Sequence, residues 1–210
     1  DLIKDIKYNL QKLNKKTIAI HYRLDDYLNL EHYHGITPQH YYQKALSLFD
    51  LNNYKIILFS DQIDEAGKRI NIYCQEYIEA DKYYQNDEQQ FFLMSCCDVI
   101  IGTNSSFSLM SSYFNNIYNF NNDSKYIFPS KWFNYNAHEY NINDLIPIDN
   151  KRYTLIENYK CCVIFFHSKI KNNYNCIKKC IQSVLEQEDI NFDILEINYD
   201  NQNKSYLKNY

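Results

Sequence analysis

Apolar positions along residues 1–150 alternate between two periodicities, and each change of period marks a new element. Ile3, Ile6, Leu10 and Leu13 recur every three or four residues, which predicts an amphipathic helix over 2–13, closed by Lys15-Lys16. The run Thr17–Ile20 predicts a strand. Thr37 and Pro38 predict the start of a second helix, with Thr37 as cap and Pro38 at the first helical position, running through Tyr41, Ala45, Leu46 and Phe49. Tyr54–Ser60 (YKIILFS) shows no polar alternation, the pattern of a strand covered on both faces. Ile63–Ile70 predicts a helix, 72–78 a strand or the approach to one, 87–97 a helix and 98–102 another buried strand. A helix over 109–114 follows, and then a strand that ends in a turn over 126–133.

Strands alternating with helices in this way predict right-handed βαβ units, hence a parallel sheet with helices on both faces. The expected class is α/β and Rossmann-like. Residues 1–150 form the first predicted domain, with a boundary over 149–158. Beyond it, Lys160–Phe166 and Phe192–Ile197 read as strands. The helix between them, Tyr174–Glu186, places Ile177, Cys180, Ile181, Val184 and Leu185 on one face. This βαβ unit is expected to open a second domain over 159–210, cut off before it is complete.

Composition narrows the chemistry. A net charge of −4 and a pI near 5.9 lack the clustered Lys and Arg that neutralise nucleic-acid phosphates, so no nucleic-acid partner is expected. With only three glycines in 210 residues there is neither a Gly-x-Gly-x-x-Gly turn nor a Walker loop, which disfavours NAD and ATP sites. The 22 tyrosines travel with abundant Asn, Ile and Lys, the usage of an AT-rich genome rather than of a base-stacking platform. Seven cysteines, two adjacent pairs among them, have no His partners at ligand spacing. They predict free thiols in a reducing, cytoplasmic compartment and no metal site, with Cys176 and Cys180 as small buried residues. No apolar run reaches membrane-spanning length. No leader is recognisable, and a start at Asp1 leaves room for an upstream segment, a membrane anchor included.

Two polar stretches carry the candidate chemistry. His21-Tyr22-Arg23-Leu24-Asp25-Asp26 follows the first strand, and Asn104-Ser105-Ser106-Phe107-Ser108 follows the strand at 98–102. Open α/β sheets place ligands at the carboxyl ends of their strands. Arg23 is one of only three arginines, and its permanently charged fork suits a diphosphate. The serines would stand at a strand-to-helix turn, where free N–H groups attract an anion. Blander readings are a plain helix cap for Asn104 or a serine, an ion pair with Asp25 or Asp26 for Arg23, and a hydrogen-bonded core position for His21. The Asn104-Ser105-Ser106 sequon beside a buried strand is not expected to be glycosylated.

The order of these stretches with five others resembles the α-1,2-fucosyltransferase family, glycosyltransferase family 11. His21, Arg23, Asp26 and Tyr27 match its H-x-R-R-x-D-Y motif. Tyr41-Tyr42-Gln43-Lys44-Ala45, Phe59-Ser60-Asp61, Leu93-Met94-Ser95-Cys96-Cys97, Asn104–Ser108, Pro129-Ser130-Lys131-Trp132-Phe133 and Asp144–Pro147 follow in the family's order. The resemblance implies the C-terminal, donor-binding half of a GT-B fold. It further implies inverting transfer of fucose from GDP-fucose to a glycan hydroxyl, with no metal or other cofactor required. Arg23 and Asp26 would be catalytic, Arg23 holding the pyrophosphate. His21, Asn104, Ser105, Ser106 and Ser108 would line the donor site. Asp25, Asp26 and Asp61 remain alternative general bases. Departures are Leu24 for the second arginine, Asp25 for a glycine, Leu109-Met110 for a tryptophan pair, and Gln90, near Asp87 and Glu88, where relatives carry a base-reading acid. Residues 160–200 more weakly resemble the opening of a family 2, GT-A glycosyltransferase, which implies a fusion of two transferases. The alternatives are a non-catalytic glycan-binding or assembly module and a transferase using a different nucleotide sugar.

Overall fold

Runs of Ile, Val, Leu and Phe that are apolar at every position must be covered on both sides, and the central strands of the first unit are. The computed structural model describes residues 2–29, 34–74, 76–118, 120, 123–133, 151–156, 161–168 and 192–199. The chain divides into two units, 1–158 and 159–210. In the first, strands β1 (Lys16–Tyr22), β2 (Tyr54–Ser60), β3 (Ile78–Glu79), β4 (Val99–Ile101), β5 (Lys125–Pro129) and β6 (Tyr153–Ile156) form one sheet in the order β3-β2-β1-β4-β5-β6. Every neighbouring pair is parallel.

Helices cover both faces. Ile18, Ile20 and Tyr22 of β1 point to the face packed by Tyr41, Tyr42, Ala45 and Leu46 of α3 (Gln39–Leu46) and by Ala66 and Ile70 of α4 (Ile63–Ile70). The alternate residues, Ala19 of β1 with Ile57 and Phe59 of β2, meet three other helices. These are α1 (Leu2–Gln11) through Ile6 and Leu10, α5 (Asp87–Ser95) through Leu93 and Met94, and α6 (Ser106–Tyr118) through Leu109. Each fully buried aliphatic or aromatic side chain in these layers contributes about 1.5–3 kcal/mol. Among the described residues no helix is long and apolar enough to cross a membrane.

Several boundaries differ from the sequence reading, each for a local reason. Strand β1 continues two residues past Ile20, because its pairing with β2 extends to Tyr22 opposite Ser60. His21 and Tyr22 are therefore strand residues. Thr37 does not cap α3: Pro38 occupies the cap position with no side-chain bond, and the Thr37 hydroxyl serves Thr103 and Asn104 instead. Residues 72–78 supply a strand only at Ile78–Glu79, since Tyr73 and Cys74 N–H groups fold back onto the Ile70 carbonyl. A short helix, α2 (Asp25–Asn29), begins within the polar stretch that follows the first predicted strand, and α6 is longer than 109–114 at both ends. Strand β6 falls inside the stretch read as the boundary and pairs with β5.

Gly102, just past β4, has no room for a side chain. A Cβ there would lie 2.1 Å from Cε1 of Phe128, a ring that is itself fully buried. The close approach fixes the exit of β4, with Gly102 N–H donating to the Ile127 carbonyl and its own carbonyl accepting from the Tyr41 hydroxyl at 2.7 Å.

In the second unit, β7 (Cys161–Ser168) and β8 (Phe192–Tyr199) pair in parallel, which requires a crossover between them. The helix expected at 174–186, with Cys176 and Cys180, lies outside the described residues, as does the motif at 144–147.

Candidate active site

With the strand order 3-2-1-4-5-6, chain connections leave β1 and β4 in opposite directions, opening a crevice beyond their carboxyl ends. The first polar stretch leaves the end of β1 and the second leaves the end of β4. The sheet topology thus brings the two together.

Arg23 is held by two carboxylates. Its Nε donates to Asp26 Oδ1 at 2.9 Å, and its Nη1 lies 3.1 Å from Asp61 Oδ2. Burial opposes the charge of Arg23, but the Asp26 hydrogen bond and the charges of Asp61 and Asp26 outweigh it and raise the guanidinium above its ordinary value. The same hydrogen bond from Arg23 holds Asp26 below the usual carboxylate value. Asp61, at the end of β2, also accepts from Leu24 N–H at 2.9 Å and Asp25 N–H at 3.2 Å, so it anchors the turn into α2. Leu24 is fully buried in the core, at the position where the family motif has its second arginine. Asp25 is exposed, and its Oδ1 accepts from Gln62 Nε2 at 3.3 Å.

Tyr27 connects the two stretches. Its ring lies beneath the Arg23 guanidinium, 6.0 Å from Cζ, and stacks on His34 at 4.5 Å. Its buried hydroxyl donates to the Asn104 carbonyl at 2.7 Å.

The four polar residues of the second stretch separate into two kinds. Asn104 is 2% exposed and its side chain is fully engaged: Nδ2 donates to the carbonyls of His34, Gly35 and Trp132 at 2.7, 3.0 and 2.9 Å, and Oδ1 accepts from Thr37 and Thr103 hydroxyls, both at 2.9 Å. Ser108 is buried, bridging Thr103 N–H at 3.3 Å and the Ser105 carbonyl at 3.2 Å. Both shape the turn. Ser105 accepts a long 3.4 Å bond from Phe107 N–H, while Ser106 is exposed as the first residue of α6. The first-turn amides of such a helix lack intrahelical partners, and with Ser106 they are the groups able to meet an anion. The sequon is closed to modification, since Asn104 Nδ2 already faces three carbonyls.

His21 is buried within β1 against Phe107, with ring centroids 5.4 Å apart, and its Nδ1 has no hydrogen-bond partner. Burial, and secondarily Arg23, push its pKa down to about 3, so the imidazole is neutral in the folded protein. An unfolded chain protonates this histidine near its ordinary 6.5 and the native state does not, so stability is lost as pH falls from 6.5 toward 3. Between pH 7 and 5 the loss from this group is about 2 kcal/mol, and His21→Phe is expected to remove it, as read by urea unfolding at the two pH values.

Of the remaining candidates, Gln90 turns its amide to the Tyr84 carbonyl at 2.9 Å, and Asp87 and Glu88 are exposed in the first turn of α5 beneath the Asn86 cap. Leu109 is in the core and Met110 is exposed. A separate cavity of about 290 Å³, lined by Lys7, Gln11, Lys15, Thr17, Cys96 and Asp98, sits at the amino ends of β1 and β4, away from Arg23. Sequence reasoning gave Thr37 only a role as helix cap, passed over Thr103 and gave Asp61 only a role as base. The signal for Asp61 was its place at the end of a buried strand beside β1.

A six-stranded parallel sheet with this strand order, covered by helices on both faces, defines a Rossmann-like domain. Residues 1–146 match the family described as Glycosyl transferase family 11, and the chain belongs to that family. It is also similar to the O-antigen biosynthesis glycosyltransferase WbnK of Escherichia coli, 29% identical over 125 residues that cover 57% of this chain and 40% of the relative. The chain thus spans well under half of that curated protein. No solved structure matches it.

Proposed function

We propose that the first unit binds the diphosphate of a nucleotide-sugar donor and serves glycosyl transfer, as an α-1,2-fucosyltransferase-like domain that passes fucose from GDP-fucose to a glycan hydroxyl with inversion. The observation that carries this reading is the placement of Arg23 and the α6 N-terminus on adjacent strand ends at the switch point. A transferase must offset negative charge growing on the leaving diphosphate. A fixed guanidinium and oriented amides do this without reorganisation, and in this reading they stand in place of a metal. Family membership supports a nucleotide-sugar donor, and the name of the E. coli relative supports a glycan acceptor. The free thiols of Cys74 and Cys97, both buried, suit the reducing cytoplasm.

Calorimetry with GDP, UDP and GDP-fucose tests the proposal. GDP and GDP-fucose are expected to bind and UDP to bind more weakly; no heat from any of the three defeats the reading. Equal affinity for UDP transfers it to a different nucleotide sugar. A second reading, a degenerate module that binds no nucleotide, draws on Leu24 in the core and on the Gln90 amide turned to Tyr84. It predicts a stably folded protein silent in the same titrations.

A further inference from the structure

The two carboxylates on Arg23 are not equivalent, and the difference bears on how a diphosphate enters. Asp61 is the more enclosed, with 18% of its side chain exposed, and it holds Leu24 N–H and Asp25 N–H as well as the guanidinium. Removing it from Arg23 would disturb the anchor of α2. Asp26 is 48% exposed, and its carboxylate accepts from Arg23 Nε and otherwise only from its own backbone N–H among the described residues. Water can take over the bond to Arg23 as soon as the carboxylate swings away. Tyr27 and Asp61 meanwhile keep the guanidinium in place from other directions.

We propose that Asp26 is a place-holding anion: it occupies the phosphate position on Arg23 while the site is empty and is displaced by the incoming diphosphate, whereas Asp61 stays and orients the guanidinium. This deepens the function proposed above and rests on it. Bidentate capture of a phosphate needs two N–H groups of one edge of the fork, and Nε and Nη1 both carry carboxylates in this structure. One must yield, and Asp26 breaks fewer bonds in doing so. Two consequences follow from the charges alone. A weakly charged anion cannot outcompete a carboxylate already seated, so the empty site discriminates in favour of a diphosphate. After transfer, the return of Asp26 to Arg23 competes with the departing diphosphate and speeds its release.

The test is calorimetry of the full chain with inorganic pyrophosphate and with GDP, comparing wild type, Asp26→Asn, Asp61→Asn and Arg23→Ala. Asp26→Asn keeps the shape and removes the competing charge, so it is expected to tighten both ligands by about threefold to tenfold. Asp61→Asn is expected to weaken both by about tenfold or more, because the orienting charge is lost. Should Asp61→Asn fail to fold, Asp26→Ser provides the second measurement and is expected to tighten binding as Asp26→Asn does. Weaker or unchanged binding by Asp26→Asn and Asp26→Ser, with wild type binding and Arg23→Ala not, overturns the place-holder role and leaves the diphosphate site standing. Absence of binding by wild type overturns both.

Discussion

Arg23→Ala is expected to weaken GDP binding by roughly 2–4 kcal/mol, a loss of about 30-fold to 1000-fold. The magnitude follows from what the fork does in a half-buried setting. A charge-assisted bidentate contact is the strong kind of hydrogen bond, and this guanidinium is locked by Asp61 and Tyr27, so little entropy is spent in using it. Arg23→Lys separates charge from geometry: a lysine keeps the charge but offers a point donor, and it is expected to recover only part of the loss. Titration of both variants with GDP and pyrophosphate reads the effect. Equal affinity in wild type and Arg23→Ala removes Arg23 from the site. The substitution also leaves Asp26 and Asp61 without the cation they share, so a thermal melt must accompany each titration to show that the fold persists.

The sheet was legible in the sequence because its central strands carry short unbroken apolar runs, a pattern with few alternative explanations once helices intervene. Tyr54–Ser60 and Ile63–Ile70 came out with the boundaries that the structure has. What remained hidden depends on partners far along the chain. That His21 and Tyr22 belong to β1 follows from pairing with Phe59 and Ser60, nearly forty residues on, and no local pattern announces it. The strand at Tyr153–Ile156 is short, lies at the sheet edge and is flanked by Lys151-Arg152 and Glu157-Asn158, so the stretch around it resembles a linker. For the candidate site, motif order pointed to two stretches that the fold brings to neighbouring strand ends, but it could not apportion roles within them. Trp132 illustrates why: its carbonyl, not its ring, meets Asn104, and backbone contacts leave no mark on residue type.

Asn104→Ala is expected to be the most destabilising single change in the candidate site, at roughly 3–5 kcal/mol, or about 10 °C or more in melting temperature. The asparagine uses one side chain to join four separate segments: the His34-Gly35 turn, Thr37 ahead of α3, the β4 exit at Thr103, and Trp132 beyond β5. Alanine strips a donor from three carbonyls and an acceptor from two hydroxyls at a position 2% exposed, where water cannot replace them. Asn104→Asp preserves size and both acceptor contacts yet turns an anionic oxygen toward the three carbonyls, so it is expected to be no better tolerated. Ser106→Ala supplies the contrast. Its hydroxyl is exposed at the start of α6, and its loss is expected to leave the melting temperature within about 1–2 °C of wild type while lowering GDP affinity. If both variants lose affinity and only Asn104→Ala loses stability, the second stretch works as the geometry divides it, with Asn104 building the turn and Ser106 meeting the ligand. A stable Asn104→Ala protein with selectively lost GDP binding would place the asparagine itself against the donor.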